Sequence, residues 1–355
     1  MLRRVIYTLG VLIFSTAAGF SQELPIEQIQ NLLRGNKAGL SVTQQEQIRA
    51  MFDKLNSGRT RTSGLPQVAN NGQFTEIEYS LPDNVETVDW IDYDRDGDDD
   101  ILLTGGRLAV IYRNDNGSIL NINANLVPVS SSAVAVGDID NDGDPDIVLT
   151  GKDNNGNLVS RVYRNNNGIF VDMVAGLVGV REGAVDLGDY DNDGDRDILL
   201  TGNTSLNDSL PQPIIKVYRN NGNNFQDISA NLPGVRLGSA NWVDYNRDGR
   251  LDIMITGEDA TGAPITKLYR NNSDNFVEDP VAATLPGVKG EFGNSSSSNW
   301  ADYDRDGDSD LLITGQTIIA SKPEVISRVY QNVNSGSSFV DLNLGLPGME
   351  GGNSV

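Results

Sequence analysis

The nine-residue pattern Asp-x-[Asp/Asn]-x-Asp-Gly-x-x-Asp constrains this chain more than any other feature, because it occurs five times. The copies begin at Asp92, Asp138, Asp189, Asp244 and Asp302, so their starts are 46, 51, 55 and 58 residues apart. A period of about 50 residues is typical of architectures in which one supersecondary unit is repeated, such as propellers and solenoids.

More than the acidic loop is repeated. After each copy comes an apolar run ending in Thr-Gly, then a Tyr with Asn two residues later, a short polar turn and an Ile or Phe. In the fourth copy this places one strand before Asp244, one from Asp252, one into Tyr269 and one at Phe276. The run after each loop is apolar at consecutive positions, which indicates a strand covered on both faces. We therefore predict an all-β fold, a β-propeller of four-stranded blades with five recognisable repeats.

The spacing of carboxylates in the loop suits a calcium ion, which takes about six to eight oxygen ligands. Positions 1, 3 and 5 turn side chains inward, Gly at position 6 permits the sharp turn, position 7 offers its backbone carbonyl and position 9 closes the site. The predicted ligand residues are Asp92, Asp94, Asp96, Asp98 and Asp100; Asp138, Asp140, Asp142, Asp144 and Asp146; Asp189, Asp191, Asp193, Asp195 and Asp197; Asp244, Asn246, Asp248, Arg250 and Asp252; and Asp302, Asp304, Asp306, Asp308 and Asp310.

Two alternatives fit the loop less well. An EF-hand shares the opening of the pattern but needs Glu at position 12, where this chain has Leu or Ile in every copy. Magnesium prefers one or two carboxylates with several waters. We therefore predict about one Ca²⁺ per repeat, up to five, and expect the loop at Asp244 to bind weakest, because Asn246 removes one carboxylate and Arg250 adds a positive charge.

Composition excludes several function classes. The net charge of −22 argues against a nucleic-acid partner, since such a chain does not neutralise phosphates. The chain has no His and no Cys, which excludes disulfides, Ser-His-Asp triads and imidazole-based zinc sites. The conspicuous carboxylates are already assigned to metal, so we predict that the chain is not an enzyme. The three Trp, which share one strand position, are predicted to be core.

The N-terminal region differs from the repeats. Arg3 and Arg4 precede a short apolar run and then small residues, which is typical of a secretory signal peptide over 1–21. Residues 22–57 are predicted to form two short helices, 58–72 a linker, and 73–355 the propeller repeats. No later segment is apolar enough to span a bilayer. We therefore expect a secreted or cell-surface protein with no membrane span in the mature chain.

The unit from Trp300 to Gly315 resembles an FG-GAP or VCBS repeat, the blade type of integrin α-subunit propellers and of many secreted bacterial proteins. The resemblance covers about residues 70–355 and implies calcium in the acidic loops. It does not fix a ligand. The Thr-Gly ending of the second strand departs from the Gly-Ala-Pro of the integrin type.

The ends of the chain resemble incomplete blades. Residues near Phe74 match a fourth strand without its first three, and those after Gly348 match the lead into another first strand. We therefore expect a piece of a longer protein, and expect that residues 73–355 do not close into a monomeric propeller and that unpaired edges promote association.

The predicted function is a non-catalytic binding or adhesion module for a surface protein or glycan. The alternative is the propeller portion of a secreted carbohydrate-active enzyme whose catalytic domain lies beyond Val355. The calcium loops join strands 1 and 2 of each blade, so the opposite face carries the 2–3 and 4–1 loops, whose lengths vary. We predict that an extracellular protein or carbohydrate binds there, through loops 203–214, 316–325 and 287–298. The candidate contacts are Phe292, Ile318 and Ile319.

Overall fold

The computed structural model describes residues 81–222, 224–273, 275–290, 296–319 and 321–349. The chain divides into two compact units, Met1–Glu76 and Ile77–Val355, and all described residues belong to the second. The predicted signal peptide, helical segment, linker and strand at Phe74 lie outside the described residues, and so does Phe292.

The described part of the chain forms five successive sets of four short strands, which we call repeats 1 to 5. Repeat 1 comprises β1 (Thr87–Ile91), β2 (Asp100–Gly105), β3 (Leu108–Asp115) and β4 (Ser118–Asn121); repeat 2, β5 (Val129–Gly137), β6 (Asp146–Asp153), β7 (Leu158–Asn166) and β8 (Ile169–Asp172); repeat 3, β9 (Val185–Gly188), β10 (Asp197–Asn203), β11 (Pro213–Asn220) and β12 (Phe225–Asp227); repeat 4, β13 (Ala240–Val243), β14 (Asp252–Glu258), β15 (Pro264–Asn271) and β16 (Phe276–Glu278); and repeat 5, β17 (Ser297–Ala301), β18 (Asp310–Ile319), β19 (Lys322–Val333) and β20 (Ser338–Asp341). A 3₁₀ helix, Pro280–Thr284, follows repeat 4.

Within each repeat the strands pair antiparallel in chain order. Repeats 1 and 2 also share one residue pair, Leu108 with Val129, which joins their sheets. The predicted all-β fold of four-stranded antiparallel sheets is confirmed, and these sheets are consistent with propeller blades. No helix in the described ranges has the length and apolarity needed to cross a membrane.

The second strand of each repeat forms the centre of the packing. All seven residues of β10 and all seven of β14 are buried, which confirms that these strands are covered on both faces. Adjacent repeats pack through four apolar clusters, one at each junction between repeats. This packing fixes the positions of the first and second strands of each repeat. It therefore also fixes the two ends of the acidic loop that joins them.

Two predictions are wrong, one about a single residue and one about a segment. Trp90 is not core: it is 53% exposed, whereas Trp242 and Trp300 are partly buried against neighbouring aromatic rings. Segment 316–325 is not a long loop, because β18 and β19 continue through it as a hairpin in which Gln316 pairs with Val325 and Ile319 with Lys322. Ile318 in that hairpin is 52% exposed, while Ile319 packs against the apolar cluster of repeats 4 and 5.

Candidate metal centres

The five acidic loops share one backbone conformation. Gly at position 6 has φ between 82° and 95° in every copy, a left-handed conformation that favours glycine. The position 1 carboxylate holds the turn, as at Asp138, where Oδ1 accepts the N–H of Asp142 at 3.2 Å and Oδ2 that of Gly143 at 3.0 Å. The loop is therefore preformed by its own sequence, with the first Asp bound to its backbone.

Carboxylates from alternate positions converge in four of the five loops. One oxygen from each of three residues lies within 4.8 Å of the others in each group: Asp92, Asp94 and Asp96; Asp138, Asp140 and Asp146; Asp189, Asp191 and Asp197; and Asp302, Asp304 and Asp306. The structure thus brings together the predicted residues at positions 1 and 3 of these loops, with position 5 or 9.

Two oxygens of these clusters are buried without a hydrogen-bond donor. They are Oδ1 of Asp94 and Oδ1 of Asp191, both at position 3. Burial raises the pKa of both carboxyls, because it disfavours the charged form. Oxygen-only donor sets with buried, unbonded carboxylate atoms fit a hard cation such as Ca²⁺. The residues present therefore fit the predicted ion.

Position 9 has a second task. Asp197 is buried, and its Oδ2 accepts the N–H of Tyr190 at 3.1 Å while Oδ1 accepts the N–H of Asn220 at 2.8 Å. Burial raises the pKa of Asp197 to about 7, and the two backbone N–H groups oppose that rise. The position 9 carboxylate therefore ties the acidic loop to the third strand, whether or not it also contacts a metal.

Position 7 side chains point away from the loop interior. Oδ2 of Asp98 accepts the N–H of Asn116 at 2.9 Å, and Oδ2 of Asp144 accepts the N–H of Asn167 at 2.9 Å. Both donors belong to the turn between the third and fourth strands, which confirms that this turn and the acidic loop share one face. The arrangement leaves the backbone carbonyl as the group that position 7 offers to a metal.

The fourth loop differs from the others. It lacks a cluster of three close carboxylates, because position 3 is Asn246, whose Oδ1 accepts the N–H of Asp248 at 2.9 Å. Nη2 of Arg250 lies 2.7 Å from Oδ2 of Asp248, so a positive charge contacts position 5. Oδ2 of Asp252 is buried without a donor. The features that predicted weak binding at this loop are therefore next to the site.

The predicted ligand set omitted a group of basic side chains that contact the loops. The residue after the repeated Tyr is Arg in the first four repeats and Gln331 in the fifth. Nε of Arg164 lies 2.6 Å from Oδ2 of Asp140, and Arg219 makes the equivalent contact with Asp191 at 2.9 Å. Gln331 donates to Oδ2 of Asp304 at 2.7 Å without adding a charge. In repeat 4, where position 3 is neutral, the Arg binds Asp279 instead.

The repeated Asn, two residues after the Tyr, links neighbouring repeats. Nδ2 of Asn165 donates to the carbonyl of Tyr93 in the preceding repeat at 2.8 Å, and also to Pro145 O at 3.2 Å. Asn220, Asn271 and Asn332 make the same bond to the preceding repeat, each at 2.8 Å. The Asn is visible in the sequence as part of the repeat, but its partner lies in another repeat and gives no local signal.

Comparisons with known proteins agree with this repeat structure. The family model described as an FG-GAP-like repeat matches residues 92–149, 138–200, 189–255 and 244–313. Each match runs from one acidic loop into the second strand of the next repeat. A search of curated protein sequences finds no match.

Two solved structures are similar over most of this chain. One, of an Agrocybe aegerita lectin that recognises non-reducing terminal N-acetylglucosamine, has a TM-score of 0.44 and 18% identity, covering 71% of this chain and 64% of that one. The other, a Bacillus licheniformis rhamnogalacturonan lyase, has a TM-score of 0.34 and 14% identity, covering 73% of this chain and 64% of that one. This chain thus spans less than two thirds of each.

The family matches together span residues 92–313, more than half of the chain, and coincide with the loops, strands and sheets described above. The chain belongs to the FG-GAP-like repeat family.

Proposed function

We propose that this chain is a secreted, calcium-stiffened repeat module that binds an extracellular protein or carbohydrate and has no catalytic activity of its own. The observation that carries the proposal is the difference between the two ends of its sheets. We call the end with the acidic loops and the turns between third and fourth strands the metal-loop face. The variable face carries the connections from second to third strands and from one repeat to the next.

The metal-loop face is constant. Strand bounds leave eight residues in every acidic loop, namely 92–99, 138–145, 189–196, 244–251 and 302–309. On the variable face the connections between second and third strands are 106–107, 154–157, 204–212, 259–263 and 320–321, so they range from two to nine residues. Loops on a rigid scaffold that differ in length are suited to recognition, whereas constant loops are suited to a shared structural role.

The longest of these connections, 204–212, is held in place by contacts with Arg181. Nε of Arg181 donates to the carbonyl of Ser205 at 3.0 Å, and its guanidinium also contacts Asp208. Arg181 in turn contacts Glu182, which binds Arg236 in the connection between repeats 3 and 4 at 2.9 Å. Loop 204–212 therefore contacts a buried ion-pair network. Its side chains Leu206 and Leu210 are 56% and 67% exposed.

For calcium, the residues that would hold the ion are positions 1, 3 and 5, with the position 7 carbonyl and the position 9 carboxylate. The ion supplies positive charge to carboxylates that otherwise repel one another. Binding to the folded state alone adds about 2.7 kcal/mol of stability per site at a ligand concentration of about 100 Kd.

The calcium proposal is tested by thermal melting with calcium and with chelator. We expect calcium to raise the Tm, and Asp191→Asn to reduce the gain by removing one carboxylate from the third loop. Glu324→Gln, an exposed carboxylate outside the loops, is the matched control and should leave the gain unchanged. Equal Tm in calcium and chelator contradicts the proposal.

The ligand proposal is tested by screening glycans and extracellular proteins and then comparing variants of the two faces. Leu210→Asp changes the variable face, and Asp195→Asn changes the metal-loop face at position 7. We expect only Leu210→Asp to weaken binding. Loss of binding from Asp195→Asn alone would place the ligand on the metal-loop face.

A further inference from the structure

A small groove lies between the third strand of repeat 2 and the connection that leads to repeat 3. Residues 158–161 of β7 form one wall, and residues 174–177 with Gly179 of the connection form the other. The groove is open to solvent and has a volume of about 200 Å³. Repeats 1 and 3 precede and follow repeat 2 in the described chain, so this groove belongs to the interior of the repeat array.

The groove exists because the outer edge of β7 changes partner at this point. The N–H of Met173 donates to the carbonyl of Val162 at 2.9 Å. Further back along the strand, Val159 pairs with Val180. Between these two contacts the connection leaves the strand, and Ser160 has no strand partner on that edge within the described residues.

The lining of the groove contains a hydroxyl without a hydrogen bond. Ser160 is 8% exposed, and its Oγ is buried without a partner in the described part of the chain. A buried hydroxyl that makes no hydrogen bond destabilises the folded state. A polar group bound in the groove removes that cost, because it gives Ser160 a partner.

The rim of the groove carries a residue in a strained conformation. Val174 has a left-handed φ of 53°, and its side chain is 76% exposed. A β-branched residue is rarely found in this conformation. The residues at the equivalent turns of repeats 1, 3 and 5 are also left-handed, but none is β-branched: Asn123, Ser229 and Asn343. Backbone strain of this kind concentrates at functional sites, and here it places an exposed apolar side chain beside the groove.

The charges at the groove form a neutral pair. Nη1 of Arg161, which also lines the groove, lies 2.6 Å from Oδ2 of Asp172, and both side chains remain partly exposed. A guanidinium has five N–H donors and a carboxylate has several acceptor sites, so the pair offers both donors and acceptors to a ligand. Asp172 repels an anion and Arg161 repels a cation. The pair therefore favours a neutral ligand whose hydroxyl groups both donate and accept.

The same three residue types line a second groove in repeat 5. Ser327 is equivalent to Ser160, and its Oγ is also buried without a partner among the described residues. Arg328 lies 3.0 Å from Asp341, and these residues line a groove of about 270 Å³. The corresponding pairs in repeats 3 and 4 are Ile215 with Lys216 and Thr266 with Lys267. The combination of Ser, Arg and Asp thus distinguishes repeats 2 and 5.

We propose that each of these two grooves binds one ring of a neutral carbohydrate. The Ser hydroxyl and the Arg–Asp pair bind ring hydroxyls, and in repeat 2 Val174 contacts the C–H face of the ring. The volumes exceed the roughly 30 Å³ share of a water molecule and fall below the roughly 300–1,000 Å³ of pockets for drug-sized ligands, which suits one sugar unit. The inference rests on the proposed function, of which it names the ligand class and the site on the variable face.

Saturation-transfer difference NMR of the full chain in calcium tests the grooves directly. The probes are the methyl glycosides of glucose, galactose, mannose and N-acetylglucosamine, and we expect wild type to bind at least one of them. Ser160→Ile and Ser327→Ile each introduce the residue that repeat 3 carries, as Ile215, at the same strand position. Each should lose part of the sugar signal, and the double variant should lose all of it. Thr266→Ile, the same change in repeat 4, is the matched control and should keep the wild-type signal.

Thermal melting separates a binding role of Ser160 from a structural one. Ser160→Ala removes only the hydroxyl that has no partner in the described chain, so it should not lower the Tm. The same variant should lose the sugar signal of its groove. A lower Tm with an unchanged sugar signal would mean that the hydroxyl serves the fold, and would overturn the proposal.

Three further results overturn the proposal: none of the four probes binds wild type, the double variant binds as wild type does, or Thr266→Ile loses as much signal as the double variant. Leu210→Asp separates these failures from failure of the proposed function. Binding of a glycan or protein that is weakened by Leu210→Asp but not by the groove variants contradicts the grooves alone. The proposed function fails separately, if neither glycans nor extracellular proteins bind.

Discussion

The buried Asn165 offers the sharpest test of how the repeats are joined, and the perturbation is Asn165→Ala. The side chain is fully buried and makes three hydrogen bonds: Nδ2 to Tyr93 O and to Pro145 O, and Oδ1 from Gly168 N at 2.7 Å. Its backbone N–H, which binds Asp146, is unchanged by the substitution. The variant therefore removes one hydrogen bond between repeats 1 and 2 and two within repeat 2, while leaving the bond between the third strand and the acidic loop.

The expected loss follows from the partners that are left behind. A buried donor or acceptor without its partner costs about 1–3 kcal/mol. Three such groups give about 3–5 kcal/mol, allowing for some relaxation. Asn114 in repeat 1 is the matched control, because it keeps the bonds within the repeat, to Asp99 O and from Gly117 N, and is only partly buried. Asn114→Ala should cost about 1–2 kcal/mol.

Urea denaturation of both variants at fixed calcium, with m values compared to exclude a change in cooperativity, measures the difference. We expect Asn165→Ala to be the more destabilised by about 2 kcal/mol. Equal losses in the two variants would refute the reasoning, because the bond between repeats would then contribute nothing beyond the bonds within one repeat.

Three further predictions concern charge. Arg164→Gln removes the cation that contacts Asp140, so calcium affinity of the second loop should rise by about fivefold, equivalent to about 1 kcal/mol between close charges in water, as measured by calorimetry. Burial raises the pKa of Asp186 to about 6. In chelator, its contribution to the free energy of unfolding, up to about 3 kcal/mol, is therefore full below about pH 4 and is lost as pH rises to about 6. Asp186→Asn should flatten that part of the profile of stability against pH, and an unchanged profile contradicts the assignment. Burial raises the pKa of Asp197 to about 7, and the carboxyl must lose its proton to bind a metal. Calcium binding should therefore release protons, and calcium affinity should fall as pH falls from about 7 to about 5. Equal proton release in Asp197→Asn and in wild type contradicts this prediction.

Much of the fold was predictable because the sequence of each repeat contains the signals for its own strands and loop. Consecutive apolar residues after the acidic loop, closed by Thr-Gly, gave β10 and β14, and the loop spacing gave the clustered carboxylates at positions 1 and 3. The hairpin of β18 and β19 was missed because segment 316–325 was interpreted as a loop from its length. In the structure Pro323 of this segment pairs with Ile318 near the hairpin end, where few ladder hydrogen bonds are lost.

The contacts between repeats were not predictable in the same way. The partner of Asn165 lies 72 residues away, and the packing of a Trp depends on whether another repeat covers it, which separates the exposed Trp90 from Trp242. The Arg that contacts position 3 was visible as a repeated residue, but the direction of its side chain follows from the pairing of the third strand. Sequence periodicity therefore predicts what each repeat contains better than what joins one repeat to the next.

The central claim, that the acidic loops hold calcium, is tested most directly by counting bound ions. Native mass spectrometry of the full chain in calcium should show up to five Ca²⁺, with the loop at Asp244 the last to fill, and Asp191→Asn should lower the occupancy of one site. Observation of the calcium-free mass at saturating calcium, for wild type and variant alike, would contradict the account.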